Sequence, residues 1–162
     1  MISKERRDAL DQRVLEDIAE HGWSDMAIFP TKEGDGPPFN YTVGFKLREH
    51  PELLIMGLNM ETMHGLLGVI YEQVKSGTRF NPDTYYQFVI ENHRVAFVEI
   101  TDPFGEYPMT MTRHLMGEFQ ALQLVWPDAQ DRFPWHEDFD PEYRLYQELL
   151  GPWRGEDAGS TP

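Results

Sequence analysis

Residues able to bind a ligand gather in two short segments of the sequence. Tyr41, Thr42 and Lys46 belong to FNYTVGFK, which alternates like a β-strand, and Arg113 and His114 form an adjacent basic pair. A ligand phosphate would be held by such cationic side chains together with backbone N–H groups. We therefore predict that these five residues contact a small-molecule ligand. The same residue types also occur as ordinary strand residues and as helix-surface decoration, and this alternative stays open.

Trp135 is a sixth candidate, at the end of the proline-stiffened stretch LQLVWPDAQDRFPW. Pro127 cannot donate to a sheet, so the strand ends there, and Trp126 should pack inward as its last residue. Pro134 directs Trp135 out of a polar loop, and rigid aromatic rings suit a binding surface. We predict that Trp135 borders a cleft beside the YTVGF strand. The alternative is that both rings only close the core.

The remaining reactive side chains form no catalytic signature. The chain has six histidines and no cysteine, which excludes disulfides and a cysteine nucleophile, and no pair of histidines has the HExxH spacing. The sequence thus predicts no metal site and identifies no cofactor. No GxSxG elbow or Ser-His-Asp order is present. A hydrolase or transferase that uses His114 or His136 is the enzymatic interpretation left open.

The charge of the chain bounds its partners. The formal net charge is −14, from 28 acidic and 14 basic residues, so we predict no binding to bare nucleic acid. The negative charge either serves solubility or forms an acidic surface that docks a basic protein partner or mimics DNA. The charged N-terminus has no signal-like apolar region, and no apolar run approaches the roughly 20 residues that span a bilayer. We expect a cytoplasmic protein without membrane contact, and a homodimer is compatible with the sequence.

Hydrophobic periodicity and capping residues predict the helices. Apolar residues recur every four positions over residues 4–20, which indicates a first helix. Asn59 and Gly77 are suitable start and stop residues for a second helix, with a buried stripe of Leu66, Leu67 and Ile70. Asp140 with Pro141 predicts a final helix docked by Leu145, Leu149 and Leu150. The stretch around residues 110–116 is ambiguous and compatible with a short helix.

Apolar runs and alternation predict the strands, at residues 23–30, 39–46, 52–59, 84–100 and 119–126. The fourth of these should contain two strands around an Asn92-His93 turn, with Glu91 facing Arg94. The elements predict an α+β fold with a mostly antiparallel, curved or split-barrel-like sheet of five to six strands and about three flanking helices. We expect a single domain over residues 1–153 and a polar tail over 154–162.

Four motifs in this order give the chain a resemblance to a known family: FNYTVGF, HPELLIMGL, LQLVWPD and the FPW that follows. The chain resembles the DUF4262 family of bacterial domains of unknown function over about residues 15–150, and Trp-Pro-Asp is the most specific part. Phe45 stands where leucine is usual, and QELL at 147–150 lacks a proline often found there. The resemblance implies a fold and an intracellular bacterial or phage setting, and it implies no reaction.

The order of the predicted elements is also similar to that of split-barrel flavin- and pyridoxal-phosphate-binding domains, which is an analogy of fold only. From these features we expect a domain that binds a small molecule of nucleotide or flavin type. The alternative is a non-catalytic acidic protein that acts as an inhibitor or adaptor. Whether the chain is an enzyme is not decided by its sequence.

Overall fold

A computed structural model describes residues 3–30 and 36–156 of the chain. The described helices are α1 (Lys4–His21), α2 (Met60–Lys75) and α3 (Thr110–Met116), together with two short 3-10 helices, Phe45–Arg48 and Pro141–Leu145. The strands are β1 (Ser24–Ile28), β2 (Phe39–Val43), β3 (Glu52–Met56), β4 (Thr84–Ile90), β5 (His93–Glu99) and β6 (Ala121–Val125). None of the described helices is long and apolar enough to cross a membrane.

The two long helices begin and end where their capping residues predict. The Ser3 side chain accepts a hydrogen bond from the Arg6 N–H at the start of α1, and Gly22 ends it with φ of 92°. The Asn59 side chain accepts from the Thr62 N–H at 2.8 Å at the start of α2. These helix predictions are confirmed because both termini are set by short-range hydrogen bonds. The ambiguous stretch at 110–116 is helical as α3.

The six strands form one open sheet in the order β1-β2-β3-β6-β5-β4. All neighbouring strands are antiparallel except β3 and β6, which run parallel. The sheet is therefore mixed. Strands β1 and β4 are its two edges, so it does not close into a barrel, and the split-barrel part of the prediction is not confirmed. The α+β class, the number of strands and the count of three helices are as predicted, although the third helix is α3 and not the predicted final helix.

Alternation along β1 and β2 separates two cores on the two faces of the sheet. Tyr41 and Val43 pack with Val14 of α1 and Met111 of α3. On the other face, α2 contributes Leu67 and other buried residues to a larger core with β3, β5 and β6. Side chains of successive strand residues point to opposite faces. Polar residues of β1 and β2 therefore also divide between the two faces of the sheet. Those on one face can contact α1 and α3, and those on the other face can contact α2.

The β4–β5 hairpin differs from its prediction at two points. Ile90 pairs with His93, so Glu91 and Asn92 form the turn and Glu91 does not face Arg94. The ladder is irregular between Tyr86 and Ile90, and Phe88 has φ of 71° and is 86% exposed. Such a bulge shifts the alternation of one strand relative to its partner. Sequence periodicity alone does not indicate where the bulge lies.

The C-terminal segment also differs from its prediction. The final helix is only the short 3-10 helix after Asp140, whose side chain accepts from the Glu142 N–H, and Leu145 is exposed rather than docked. The prediction that Asp140 caps this helix is confirmed. The helix ends at Leu145, and two residues later the Gln147 side chain bonds both backbone groups of Trp126, which holds the chain against the end of β6. Arg154, the first residue of the predicted tail, donates its N–H to Asp83, and residues 157–162 of that tail lie outside the described part.

Candidate functional site

An apolar cleft lies between α1, the β1–β2 ladder and α3. Its volume is about 710 Å³, within the usual range for small-molecule sites. Most of the lining is apolar: Leu10, Met26, Ile28, Phe29, Pro30, Pro37, Phe39, Tyr41, Pro108 and Met111. The polar groups that border it are Arg7, Asp11, Glu106, Thr110 and His114. The cleft can thus enclose an apolar molecule and offer it a few polar contacts.

Tyr41 forms part of the floor of this cleft. It lies on β2 opposite Met26 of β1, and its ring is stacked near that of Phe39, with centroids 6.2 Å apart. Its hydroxyl accepts a hydrogen bond from the Met111 N–H at 2.9 Å. Burial raises the pKa of Tyr41, and the hydrogen bond from Met111 acts against that rise. Tyr41 therefore presents a neutral, fixed aromatic surface to the cleft.

His114 and Asp11 close the polar end of the cleft by joining α3 to α1. The His114 Nε2 lies 2.9 Å from Asp11 Oδ2, so Nε2–H donates to the carboxylate. The other oxygen, Asp11 Oδ1, is buried and has no hydrogen-bond partner among the described residues. An unpaired buried acceptor costs free energy, so Asp11 has hydrogen-bonding capacity that the described residues do not use.

Charges around the cleft do not favour an anionic ligand. Arg7 is the cation of the lining, whereas Asp11 and Glu106 are both carboxylates. A phosphate group placed near two carboxylates is repelled unless further cations are added. The nucleotide and flavin classes thus receive less support from this cleft than an uncharged molecule does.

Apart from Trp135, three of the predicted site residues lie away from the cleft. Thr42 is fully buried on the opposite face of β2, where its hydroxyl donates to Glu52 and accepts from the Leu53 N–H. Arg113 places its guanidinium 5.3 Å from the ring centre of Phe104, on the exposed side of α3. Lys46 donates to the carbonyls of Met116 and Glu118 and lines a separate polar pocket of about 360 Å³. The structure brings only Tyr41 and His114 of the predicted set together, and ligand contact by any member stays a prediction.

Trp135 is not beside the YTVGF strand, and that part of the prediction is wrong. It stacks on Trp153 with ring centres 4.2 Å apart and donates its indole N–H to the Tyr85 hydroxyl. Tyr85 belongs to β4, the far edge of the sheet from β1 and β2. Its direction was misjudged because the chain after Pro127 turns toward β4 and β5, where Arg94 binds Asp131 at 2.7 Å.

His136 is a structural residue in this arrangement. Its Nδ1 accepts from the Phe133 N–H at 2.9 Å, and the residue is only 7% exposed. Its Nε2 lies 3.4 Å from the Tyr85 hydroxyl. Both ring nitrogens thus face the aromatic cluster of the C-terminal segment, which leaves the hydrolase or transferase interpretation through His136 without support from geometry.

His50 borders the polar pocket beside Lys46 and is held as a neutral imidazole. Its Nδ1 donates to the Pro51 carbonyl at 2.8 Å, and its Nε2 accepts from the Phe80 N–H at 3.0 Å. Burial lowers the pKa of His50; the Pro51 carbonyl acts against this, and nearby Arg79 lowers it further. A proton on Nε2 would break the bond to Phe80, so the fold favours the uncharged ring.

We expect the free energy of unfolding to fall as the pH decreases below about 6.5, the ordinary pKa of histidine. Because the folded-state pKa of His50 is the lower one, unfolding takes up a proton there, and the stability present above pH 6.5 is lost as the pH falls through the folded pKa. Urea unfolding measured across this range should show the loss in wild type and a smaller one in His50→Gln.

Comparing wild type with variants separates the contribution of His50 to the pH dependence of the free energy of unfolding from that of other titratable groups. Glu52, whose pKa is raised by burial, contributes with the opposite sign, so the informative quantity is the difference between wild type and His50→Gln. His21→Gln, at an exposed histidine, is the control and should keep the wild-type pH profile. If His50→Gln also keeps that profile, the bond to Phe80 does not depend on protonation.

Several residues of possible functional weight were missed by the sequence interpretation. Asp11 falls within the charged first helix and Asp25 within the short strand at 23–30, and the adjacent sequence marks neither as a site residue. Glu52 was included in an apolar strand, yet it is fully buried with four hydrogen-bond donors around it. A carboxylate at the start of an apolar run is a signal that could have identified Glu52. No local pattern identifies the partners of the other two.

No group of three or more histidine, aspartate or glutamate side chains in residues 3–30 and 36–156 is arranged to hold a metal ion.

A family model described as a domain of unknown function, DUF4262, matches residues 17–140. No curated protein and no solved structure matches the chain. The matched region includes β1, β2 and α3 of the cleft, whereas Arg7, Leu10 and Asp11 precede it.

Proposed function

The chain belongs to the DUF4262 family, which is described as a domain of unknown function. We propose that it binds a small, largely apolar organic molecule in the cleft between α1, β1–β2 and α3. The observation that supports this most is the cleft itself, about 710 Å³ in volume, with its mainly apolar lining and one polar end at Asp11 and His114. Sites for small molecules commonly combine such a lining with a few converging polar groups.

The two ends of the cleft would have different roles. Apolar walls such as Ile28 and Met26 contribute affinity because the ligand and the walls both leave water, at about 25 cal/mol per Å² of apolar surface buried. The pair of Asp11 and His114 contributes orientation, because a ligand donor can bond the carboxylate that the histidine already holds. An uncharged or weakly basic molecule with one hydrogen-bond donor fits both requirements. A phosphorylated ligand of nucleotide or flavin type fits less well.

We expect the neutral fluorescent probe N-phenyl-1-naphthylamine to bind the wild-type protein, and Ile28→Trp to weaken binding about tenfold, equivalent to 1.4 kcal/mol. The larger ring would occupy the space that the probe needs, since Ile28 lines the cleft. Titration by fluorescence measures the affinity. With methyl-labelled methionine, the NMR signals of Met26 and Met111 should shift on binding, and that of Met63 in the other core should not.

Matched variants test whether the cleft is the binding site. Val69→Trp adds the same ring at an exposed position of α2 and should leave probe affinity unchanged. His114→Gln should alter affinity more than Arg113→Gln, because His114 borders the cleft and Arg113 does not. Equal probe affinity in wild type, Ile28→Trp and Val69→Trp would mean that the cleft is not a ligand site.

A second candidate is the non-catalytic acidic interaction protein, which would bind a basic partner. The net charge of −14 supports it, because an acidic surface attracts a basic partner, and the exposed ring of Phe88 on edge strand β4 would add an apolar contact. Native mass spectrometry of the protein as isolated distinguishes the candidates. A bound small molecule supports the first, and a co-purified basic protein with no small molecule supports the second.

A further inference from the structure

A chain of polar contacts links β1, β2 and α2 on the face of the sheet opposite the cleft. His64 Nδ1 lies 2.7 Å from Asp25 Oδ2, and the Asn40 side-chain amide donates to the same oxygen at 2.7 Å. Asn40 is fully buried, and the Asp25 side chain is only 14% exposed. Asn40 of β2 thus fixes the position of the Asp25 carboxylate, and the carboxylate in turn fixes the position of the His64 ring.

The hydrogen bond to Asp25 determines which nitrogen of His64 is free. A carboxylate accepts, so Nδ1 carries the proton, and Nε2 of the neutral ring has its lone pair available. No hydrogen bond to Nε2 is formed by any residue in the described part of the chain. The imidazole also stacks on Trp23, with centroids 5.6 Å apart and planes 19° apart, which fixes the orientation of the ring.

His64 also lines a cavity of about 480 Å³. The cavity has Asp17, Glu20 and His21 from α1, Trp23, Ser24 and Asp25 at and beside β1, and His64, Glu72 and Lys75 from α2. Gly68 lies one turn after His64, and a Cβ there would be 3.7 Å from the Trp23 ring. An alanine would fit there at an ordinary contact distance, whereas a longer side chain at Gly68 would crowd the Trp23 ring.

We propose that His64 is a proton-transfer residue of a second site, which acts on the hydroxyl or amino group of a small molecule that carries no negative charge. Asp25 is a positioning residue, because it orients the imidazole and touches no substrate. This site is separate from the apolar cleft, since Asp25 and Asn40 lie on the other face of the ladder from Met26 and Tyr41. The inference does not depend on the function proposed for the cleft.

The proton balance of the step is simple. The Nε2 lone pair of neutral His64 takes a proton either from a hydroxyl O–H, which leaves an alkoxide-like oxygen, or from the N–H of a protonated amino group, which leaves a neutral amine. The ring becomes an imidazolium ion, and the adjacent Asp25 carboxylate stabilises its charge at 2.7 Å. The proton returns to the product or to water, and no oxidant, reductant or cofactor is needed.

The charged groups around the cavity decide the substrate class. The two helices contribute three carboxylates to the lining, Asp17, Glu20 and Glu72. Lys75 is the lysine among the lining residues, so the carboxylates are in excess. They repel phosphates and carboxylates and tolerate neutral or cationic molecules. The acidic groups only exclude anions, whereas the site itself is defined by the ordered contacts from Asn40 through Asp25 to His64.

Carbethoxylation by diethyl pyrocarbonate tests the free Nε2. The side chains of His64 and His21 are both 61% exposed, so exposure alone predicts equal rates. We expect His64 to be modified faster, as measured by peptide mass spectrometry. Asp25→Asn should slow His64 several-fold and leave His21 unchanged, and nitrogen NMR shifts should show that wild-type His64 carries its proton on Nδ1. Equal rates at both histidines, or no effect of Asp25→Asn, would overturn the proposal.

The substrate class is tested with three molecules of similar size: propylammonium, 1-propanol and propionate. We expect the cation and the alcohol to shift the Trp23 and His64 NMR signals at constant ionic strength, and propionate to leave them in place. Gly68→Leu should reduce these shifts by filling the space beside Trp23, whereas Gly65→Leu, with no neighbour within 4 Å, should not. Shifts by propionate as large as those by propylammonium would contradict the class assigned.

Discussion

Replacing Glu52 by alanine is expected to lower the free energy of unfolding by more than about 3 kcal/mol, the sum of several unsatisfied buried donors at about 1–3 kcal/mol each. The carboxylate accepts from the Thr42 hydroxyl at 2.6 Å and from the N–H groups of Gly44, Phe45 and Lys46 at 3.0–3.1 Å. Alanine removes every acceptor and leaves these groups inside the fold. Urea unfolding measures the loss, and an unfolded variant is the extreme of the same result.

Glutamine at this position should be nearly as harmful as alanine. Each carboxylate oxygen receives two donors, so the amide NH₂ of Glu52→Gln would face N–H groups rather than acceptors. Burial raises the pKa of Glu52, and the four donors act against this rise. Glu99→Gln, at an exposed glutamate of β5, is the control and should be close to neutral. A wild-type midpoint for Glu52→Gln would show that the four bonds add no stability.

Trp126→Ala is expected to cost about 3–5 kcal/mol, the range for a buried aromatic residue. The ring is 7% exposed, and its Nε1–H donates to the Met56 carbonyl at 2.8 Å. Gln147 bonds both backbone groups of Trp126, and Tyr143 packs near the ring. The substitution therefore removes a large core side chain, its bond to Met56 and its contact with Tyr143, while the backbone bonds to Gln147 stay available.

Comparison with two other variants separates the roles of the ring and its N–H group. Trp126→Phe keeps an aromatic ring but leaves the Met56 carbonyl unpaired, so it should cost less than alanine. Trp135→Ala should also cost less, because Trp135 is only partly buried, although its stacking on Trp153 makes some loss certain. Thermal melts and near-ultraviolet circular dichroism measure the three. Equal destabilisation by Trp126→Ala and Trp135→Ala would contradict this ranking and make the whole stretch a single closure of the core.

Local signals were sufficient for much of the secondary structure. Asn59 predicts the start of α2 because its side chain bonds the Thr62 N–H three residues away. Pro127 predicts the end of β6, and Trp126 is buried as its alternation indicates. The same local reasoning was wrong for the Asn92-His93 turn and for Leu145. A bulge and a non-local anchor at Trp126 override the pattern at those two positions, and neither leaves a mark in the adjacent sequence.

The sequence by itself determined the family, the α+β class, the termini of α1 and α2 and the inward position of Trp126, because each depends on residues a few positions apart. Only the tertiary structure decided the parallel pairing of β3 with β6 and the partners of the histidines. His114 meets Asp11 across 103 positions, and His64 meets Asp25 across 39. Contacts at such separations depend on strand order and on the face to which each side chain points, and neither property is encoded in local periodicity.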